Sequence, residues 1–308
     1  MRLAIVGAGA IGSVIGGHLA RKGHDVTLIC RGAHLDAVHA RGLTVRTSEG
    51  EFTTRPKATD RPEDVSAQDG VILTAKAYSL TELAPRLKSM LGPETPVLST
   101  QNGIPWWYRF GVSGAGANEP LESVDPGGVI WRHLPPERAI AAPVMLPAAL
   151  PTPGIAELGA SPSMVVGAPK NGHAKFVAEF TAAMSDAGIP AATGDAHTVV
   201  WTKLRTFLPG ATVALQTQLP SSDLADIPGM PDLQAALMAE TIAVAKAWGV
   251  ELPPPPASFV RVRRGGGNKP SIWVDFEAGR PLELDAAVKA PLELAQLRGV
   301  ETPLMKAH

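Results

Sequence analysis

Short apolar runs alternate with helical patterns in the N-terminal part of the chain. Between the runs, as over residues 13–22 and 80–91, apolar residues recur every three or four positions, which is the spacing of an amphipathic helix. The runs themselves are typical of buried strands and lie at residues 3–6, 25–29, 70–74 and 96–99. Strands that alternate with helices form parallel sheets with right-handed crossovers. The pattern therefore predicts an α/β domain.

Weaker apolar runs continue beyond residue 100. Those at residues 129–131, 139–145 and 164–166 predict further strands on the far side of the same sheet. An amphipathic helix over residues 175–187 then leads to a last strand-like segment at 190–193.

Long helical patterns replace this alternation from Asp195 onward. They cover residues 197–217, 232–248, 270–277 and 282–298. Pro209 falls inside the first helix and predicts a kink there. The proline run at 253–256 predicts an extended segment. The basic, glycine-rich stretch at 261–269 predicts a solvated connector, with a mobile lip over the active site as the alternative.

The length and composition of the chain agree with two domains. The chain has 308 residues, 45% of them hydrophobic and 19% charged, which is enough apolar material for two cores. The change of pattern places the boundary after residue 194. We therefore predict an α/β domain over residues 1–194 and a mostly α-helical domain over residues 195–308.

The charge balance and the cysteine count indicate a cytoplasmic protein that binds small molecules. The 28 basic and 29 acidic side chains give a net charge of -1, without the basic excess that nucleic acids or anionic membranes attract. Cys30 is the one cysteine, which excludes an internal disulfide and a multi-thiolate metal site and indicates a reducing compartment. The apolar stretch at 139–150 is too short to span a bilayer, and the N-terminus lacks a signal-peptide pattern.

A glycine-rich motif directly follows the first predicted strand. Gly7, Gly9 and Gly12 have the spacing G-x-G-x-x-G at the start of the first predicted helix. In a Rossmann-type domain the first glycine permits the tight turn, the second lets the backbone approach a pyrophosphate, and the third lets the helix pack on the strand. The strand, turn and helix are the context that the motif requires. The predicted cofactor loop consists of Gly7, Ala8, Gly9, Ala10, Ile11 and Gly12.

The end of the second predicted strand distinguishes between the two nicotinamide cofactors. An acidic residue at this place would bond the ribose hydroxyl of NAD. The chain instead has Cys30, Arg31 and Gly32 after Ile29. Because the guanidinium of Arg31 suits a 2′-phosphate, we predict NADPH as the cofactor.

Motifs along nearly the whole chain resemble those of the ketopantoate reductases (2-dehydropantoate 2-reductases). They are GAGAIG at 7–12, KAY at 76–78, QNGI at 101–104, WTKL at 201–204 and SIWVDFEAGRPLE at 271–283. The resemblance implies a Rossmann domain joined to a helical domain, with the active site in the cleft between them. It also implies the reduction of ketopantoate to pantoate in pantothenate biosynthesis.

The resemblance assigns the chemistry to a lysine and a glutamate. Lys203 matches the family's catalytic lysine, and Glu283 matches the glutamate that lies near this lysine and the cofactor ribose. These residue types suit the reaction, because hydride addition to a ketone leaves a negative charge that an ammonium can stabilise and protonate. A cleft and a nearby carboxylate can tune the pKa of such a lysine.

The resemblance implies further contacts for four residues. Lys76 would lie near the adenosine phosphate of the cofactor, and the backbone of Ala148 would touch the cofactor. Asn102 would lie near the nicotinamide and the substrate, and Ser271 would bind the substrate.

The sequence departs from the family after the lysine. The family carries two substrate-binding asparagines one and two turns after it, where this chain has Phe207 and then Gly210 or Ala211. Phe207 thus replaces a polar substrate contact by an apolar one, and the true substrate stays open.

Three hypotheses about function remain. The leading one is an NADPH-dependent reductase of a 2-keto acid, with ketopantoate as the default substrate. The second keeps the fold and cofactor but reduces a bulkier or less polar ketone or imine. The third is an NADP-binding sensor without catalysis, against which Lys203 and Glu283 argue. The predicted partners are a cofactor and a small carbonyl substrate, no metal is predicted, and a homodimer is one of the oligomeric states left open.

Overall fold

The computed structural model describes residues 1–224, 226–252 and 269–307, and these form two compact units. The first unit comprises Met1–Gln101 and Gly127–Val199, and the second comprises Asn102–Pro126 and Val200–His308. The sequence pattern placed residues 102–126 in the first domain. In the structure this segment belongs to the second unit, where Trp106, Trp107 and Tyr108 are buried.

All strands of the described residues belong to the first unit. They are β1 (Arg2–Val6), β2 (Asp25–Ile29), β3 (Leu43–Thr47), β4 (Gly50–Thr54), β5 (Lys57–Thr59), β6 (Gly70–Leu73), β7 (Val97–Ser99), β8 (Ala139–Ala141), β9 (Val144–Met145), β10 (Ala148–Thr152), β11 (Ile155–Leu158), β12 (Ser163–Val166) and β13 (Ala191–Thr193). The main sheet has the order β5-β2-β1-β6-β7-β8, with every pair parallel. The predicted parallel sheet is confirmed.

The helices agree with the predicted change from alternating strands and helices to helices alone. They are α1 (Ala10–Arg21), α2 (Gly32–Arg41), α3 (Leu80–Leu83), α4 (Val129–His133), α5 (Ala174–Asp186), α6 (Ala196–Thr217), α7 (Ser221–Leu224), α8 (Met230–Ala247), α9 (Ser271–Glu277), α10 (Ala290–Leu297) and α11 (Pro303–Ala307). Apart from the first residues of α6, the helices from α6 onward lie in the second unit, which contains no strand among its described residues. The predicted fold class, a Rossmann-type parallel-sheet domain followed by a mostly α-helical one, is confirmed.

Three predicted strands of the first unit differ from the structure in type, place or extent. Residues 129–131 begin the helix α4, after Gly127 and Gly128 turn the chain with φ of 64° and 68°. The run at 164–166 does form β12, but β12 pairs with β9 and β13 in a separate three-stranded sheet. Pro143 separates β8 from β9, because a proline cannot donate to a sheet, so the apolar run at 139–145 is split between two sheets.

The sequence pattern missed α2 and a second sheet of the order β10-β11-β3-β4. Strand β4 is largely exposed, so its residues carry little apolar signal. The predicted helix over residues 80–91 forms α3 and then a 3₁₀ segment, Ala84–Met90, since Pro85 lacks the N–H that would continue the α-helix.

Each unit has its own hydrophobic cluster. In the first, residues such as Ile5, Val14 and Leu28 pack between the sheets and their helices. In the second, Val213 of α6 and Trp273 of α9 share a cluster with residues of α8. Helix α6 runs through Pro209 as a single element. The proline run at 253–256 and residues 261–268 of the basic stretch lie outside the described residues.

The described part of the chain offers neither a candidate membrane span nor a candidate metal cluster. None of its helices has the length and apolarity that a bilayer crossing requires. The same residues contain no group of three or more histidine, cysteine, aspartate or glutamate side chains arranged to hold a metal ion.

Candidate functional site

The glycine-rich turn after β1 has the geometry that its three glycines predict. Gly7 has φ of +85°, and a Cβ there would lie 2.5 Å from the Cα of Ala75. A Cβ on Gly12 would lie 2.4 Å from Oγ1 of Thr74, so only glycine lets α1 start this close to the sheet. Around Gly9 the nearest atom to such a Cβ is 3.9 Å away, and Gly9 is exposed, which leaves its backbone accessible.

Two side-chain hydroxyls donate hydrogen bonds to carbonyl oxygens of this turn. The hydroxyl of Thr74 donates to the carbonyl oxygen of Gly7 at 2.9 Å, and the hydroxyl of Ser13 donates to that of Ala8 at 3.2 Å. The N–H groups in the first turn of a helix have no partner within the helix. The turn therefore presents the N-terminal N–H groups of α1 as an anion-binding surface.

Arg31 lies beside this turn. The carbonyl of Ile29 accepts hydrogen bonds from the N–H groups of Gly7 and Ala8 at 3.0 and 2.9 Å, which fixes the end of β2 against the turn. Arg31 follows two residues later as the N-cap of α2, and its side chain is exposed. Burial raises the pKa of the intervening Cys30 thiol to about 11, so at neutral pH no thiolate competes with an anionic ligand for Arg31.

Lys76 and Ala148 are the other predicted cofactor contacts of the first unit. Lys76 is half-buried just after β6, and the N–H groups of Thr74 and Ala75 before it donate to Val6 at the start of the turn. Lys76 thus follows the strand next to β1. Ala148 is the first residue of β10, in the second sheet, against which α1 packs.

Lys203 lies in α6, two residues after a buried anchor of the second unit. The indole of Trp201 is fully buried and donates to the hydroxyl of Tyr108 at 2.5 Å. Lys203 itself is half-buried, and this burial lowers its pKa to about 8. An ammonium group with a pKa near neutrality is a suitable proton donor at neutral pH.

The segment that carries Asn102 packs on the turn that follows Glu283. Gly103 has φ of +87°, and a Cβ there would lie 2.3 Å from the carbonyl oxygen of Ala286. The N–H of Ile104 donates to the same oxygen at 2.8 Å. Ala286 belongs to a π-helical turn, Asp285–Lys289, of the kind that recurs at functional sites. Asn102 thus directly precedes the residues that pack on this turn, and Glu283, three residues before Ala286, is buried at 8% exposure.

Ser271 begins α9 and is exposed. Two residues later, Trp273 is buried against Val213 and Ala214 of α6. The Nζ of Lys269 lies 4.8 Å from the centre of the Trp273 ring. The shared cluster relates α9 to α6, the helix that carries Lys203.

The structure therefore groups the predicted site residues by unit. Asn102, Lys203, Ser271 and Glu283 all lie in the second unit. The predicted cofactor loop, Arg31, Lys76 and Ala148 lie in the first.

The face of α6 next to Lys203 is apolar one and two turns on, and the hydroxyl of Thr206 on that face donates to the carbonyl of Lys203 at 3.0 Å. Phe207 and Gly210 lie on the same face as Lys203, because residues four and seven positions later return to it. Phe207 is half-buried. A Cβ on Gly210 would meet nothing within 4 Å. Ala211 beside them is 3% exposed.

Sequence reasoning missed several residues that position the predicted ones. Thr74 ends a predicted strand next to the glycine motif, and that place was a usable signal. The π-helical turn behind Gly103 had no signal, since the pattern over 282–298 is that of one continuous helix. Ser13 and His34, which contact each other, are 21 positions apart in the sequence, and no motif connects them.

Comparison with family models covers most of the chain. Residues 3–171 match the model described as ketopantoate reductase PanE/ApbA, and residues 195–307 match the model of the C-terminal part of the same enzyme. A curated 2-dehydropantoate 2-reductase of Mesorhizobium japonicum is 34% identical, covering 100% of this chain and 95% of the relative.

Solved structures with the same fold extend this comparison. A protein of Ralstonia solanacearum MolK2, whose crystal structure is described as that of a ketopantoate reductase, has a TM-score of 0.91 and 31% identity, covering 99% of this chain and 94% of that one. The structure of D-mandelate dehydrogenase with NADH and anilino(oxo)acetate has a TM-score of 0.83 and covers 100% of this chain and 96% of that one. At 22% identity, the second likeness shows the fold alone.

Proposed function

The chain belongs to the ketopantoate reductase family, and from that premise we propose that it reduces a 2-keto acid to the 2-hydroxy acid with NADPH. Enzymes of this family are oxidoreductases that act on a C=O group. The default substrate is ketopantoate and the product pantoate. The observation that supports the proposal is the burial of Lys203, which we match to the family's lysine and which lowers its pKa to about 8.

Lys203 performs the acid step. When bound at the glycine-rich turn and Arg31, NADPH would supply a hydride to the carbonyl carbon. The ammonium of Lys203 stabilises the charge that develops on the carbonyl oxygen and transfers a proton to it, which completes the hydroxyl group. The neutral amine then regains a proton from solvent. Asn102 and Ser271 are the polar groups that we assign to orienting the keto acid.

The first unit supports NADPH as the cofactor. The N–H groups at the start of α1 suit the pyrophosphate, and Arg31 suits the 2′-phosphate. No carboxylate lies between Ile29 and Gly32 to bond the ribose hydroxyl of NADH. Since the structure of D-mandelate dehydrogenase holds NADH, that cofactor is the competitor to be titrated beside NADPH.

A steady-state assay tests the proposed function. The purified chain is mixed with NADPH and with ketopantoate or other 2-keto acids, and the absorbance of the reduced nicotinamide is followed. We expect substrate-dependent oxidation of NADPH. If no 2-keto acid, ketone or cyclic imine causes oxidation although NADPH binds, the reductase proposal is wrong and a non-catalytic sensor is left.

The apolar face next to Lys203 favours a second candidate within the same chemistry. A substrate hydroxyl that is buried against Phe207 loses its hydrogen bond to water, at a cost of about 1 to 3 kcal/mol. The open space at Gly210 leaves room for a larger group. An acceptor with an apolar substituent, in place of the hydroxyl of ketopantoate, fits this face better.

Matched substrates decide between the two candidates. The second candidate predicts a higher kcat/KM for the deoxy analogue of ketopantoate than for ketopantoate, and Phe207→Asn should shift the preference back. Phe276→Asn, on the exposed side of α9, is the control. A clear preference of the unmodified enzyme for ketopantoate excludes the second candidate.

A further inference from the structure

His34 connects three parts of the first unit through both of its ring nitrogens. It lies in the first turn of α2, three residues after Arg31, and is 8% exposed. The N–H of Gly154, in the turn between β10 and β11, donates to Nδ1 at 3.0 Å. On the other side, Nε2 lies 3.1 Å from the hydroxyl oxygen of Ser13 in α1.

These partners determine the direction of the hydrogen bonds. A backbone N–H can only donate, so Nδ1 of His34 carries no proton. In the neutral ring the proton is then on Nε2, which donates to Ser13. Burial lowers the pKa of His34, which favours this neutral form. The hydroxyl of Ser13, having accepted from His34, turns its own proton to the carbonyl of Ala8 at 3.2 Å.

We propose that His34 is a positioning residue for the phosphate-binding turn, acting through Ser13 on the carbonyl of Ala8. The inference rests on the proposed function, since it assumes that this turn binds the cofactor pyrophosphate. By occupying one side of the Ser13 hydroxyl, His34 leaves the Ala8 carbonyl as the acceptor for the hydroxyl proton. The peptide between Ala8 and Gly9 is planar, so holding its carbonyl fixes the backbone that enters α1.

A purely structural role is the competing explanation. His34 also secures the turn at Gly154, where a Cβ would lie 3.0 Å from the Cβ of Ala37 in α2. If that were its whole role, loss of the bond to Gly154 would account for every effect of a substitution. The two nitrogens can be tested separately, because an asparagine amide reaches the place of Nδ1 and a glutamine amide reaches that of Nε2.

The test compares His34→Asn with His34→Gln. His34→Asn keeps an acceptor for Gly154 but loses the donor to Ser13. His34→Gln keeps the donor to Ser13 but loses that acceptor. We expect the Kd for NADPH to rise about fivefold in His34→Asn, the effect of one neutral hydrogen bond, and to stay near the original value in His34→Gln. In His34→Asn the KM for NADPH should rise while kcat at saturating NADPH is unchanged.

Ser13→Ala is a second route to the same result if substitution of His34 prevents folding. It leaves the imidazole in place and should raise the Kd by a similar factor. The double variant His34→Asn with Ser13→Ala should bind no more weakly than either single one, because both break the same chain of hydrogen bonds. His39→Gln is the matched control, since His39 also lies on α2 but bonds the carbonyl of Ala58 at 2.8 Å, away from the glycine-rich turn.

The outcomes separate this inference from the proposed function. If the unmodified chain binds neither NADPH nor NADH, the proposed function is wrong, and the inference falls with it. If the chain binds NADPH but His34→Asn or Ser13→Ala binds it equally well, only the inference is overturned. Equal weakening in His34→Asn and His34→Gln, or additive effects in the double variant, would likewise assign His34 a structural role alone.

Discussion

Arg31 is the side chain from which we derive the choice of cofactor. It lies exposed at the N-cap of α2, beside the glycine-rich turn. Arg31→Ala removes a charge-assisted contact with the 2′-phosphate, so the Kd for NADPH should rise about tenfold to a hundredfold. The Kd for NADH should hardly change, since NADH has no phosphate at this place. Fluorescence titration with each cofactor measures both values.

Arg41→Ala is the control for this prediction. Arg41 ends the same helix and donates to the carbonyl of Pro153 at 3.3 Å, far along α2 from the turn. It should leave both affinities unchanged. Equal affinity of the unmodified chain for NADPH and NADH would refute the assignment of Arg31.

Lys203 makes the reaction dependent on pH in a defined direction. Its burial lowers the pKa to about 8, so the ammonium form is fully present below that pH and is lost as the pH rises through it. Since the proton donor is the ammonium, kcat/KM should be level below about pH 8 and fall about tenfold for each further pH unit. Rates at saturating NADPH between pH 6 and about 10 measure the profile.

Two variants of Lys203 test whether this lysine causes the fall of activity at alkaline pH. Lys203→Ala should lower kcat about 10² to 10⁴-fold, as expected for loss of a general acid, while the Kd for NADPH changes little. Lys203→Arg keeps the charge with a much higher pKa, so the remaining activity should not decline near pH 8. The role of Lys203 is contradicted if Lys203→Ala has near-normal turnover. It is also contradicted if the activity of Lys203→Arg falls at alkaline pH as it does in the unmodified chain.

The sequence predicts the role of a single residue when its partners are close in the chain or when it belongs to a known motif. The roles of Gly7 and Gly12 follow from their spacing, and the structure agrees with both. The contact between Ser13 and His34 depends on how α1 and α2 pack, which no local pattern contains. The lowered pKa of Lys203 depends on tertiary burial and is equally absent from the sequence.

The π-helical turn before α10 positions the segment that carries Asn102, because the carbonyl of Ala286 in this turn packs against Gly103 and accepts a hydrogen bond from Ile104. Gly103→Ala places a Cβ 2.3 Å from that carbonyl oxygen, at a φ of +87°. We expect a loss of about 2 to 4 kcal/mol in the free energy of unfolding, from backbone strain together with the clash. We also expect a lower kcat, because the segment that carries Asn102 must shift. Denaturant unfolding and steady-state kinetics measure the two effects.

Gly279→Ala separates strain from clash. Gly279 also has a positive φ, of +64°, but a Cβ there would meet nothing within 4 Å. It should cost only the backbone strain, about 1 kcal/mol, and leave kcat unchanged. If the two variants lose the same stability and neither loses activity, the contact between Gly103 and Ala286 does not position Asn102.

Element prediction succeeded where a pattern is long or its ends are marked, and failed where a short run fits two structures. The three residues 129–131 are too few to show a hydrophobic period. Gly127 and Gly128 before them have positive φ and turn the chain into helix α4. The pattern over residues 282–298 predicts one helix, but Pro291 cannot donate a hydrogen bond and its ring would clash with the carbonyl of Ala287 in a regular helix. The wider π turn just before Pro291 relieves this conflict.

The whole chain divides its predicted functions between two units with separate cores. The sequence pattern changes from alternating strands and helices to helices alone near residue 194, close to the end of the first unit at Val199. It did not reveal that residues 102–126 belong to the second unit. The aromatic contacts of Tyr108 with Trp201 and Trp248, at ring separations of 5.8 and 6.0 Å, join this segment to helices far along the chain. Such contacts carry no sequence period, so only the tertiary structure shows them.

This division predicts that the two units respond differently to the cofactor. Five of the six tryptophans lie in the second unit, at positions 106, 107, 201, 248 and 273, so intrinsic fluorescence mainly reports its unfolding. The predicted cofactor loop and Arg31 lie in the first unit. NADP⁺ at 100 times its Kd stabilises the binding unit by about 2.7 kcal/mol. We therefore expect NADP⁺ to raise the urea midpoint of amide protection in β1, α1 and α2 more than it raises the fluorescence midpoint.

The two probes must be compared in the same urea series, because a chain with two cores need not unfold in one step. Hydrogen exchange followed by mass spectrometry assigns protection to peptides of each unit, and fluorescence is read on the same samples. With Arg31→Ala at the same NADP⁺ concentration, the shift in the first unit should shrink, since less of the chain is occupied. Coincident transitions that move together by the same amount with NADP⁺ would contradict separate units. That result would mean that the units unfold as one cooperative structure.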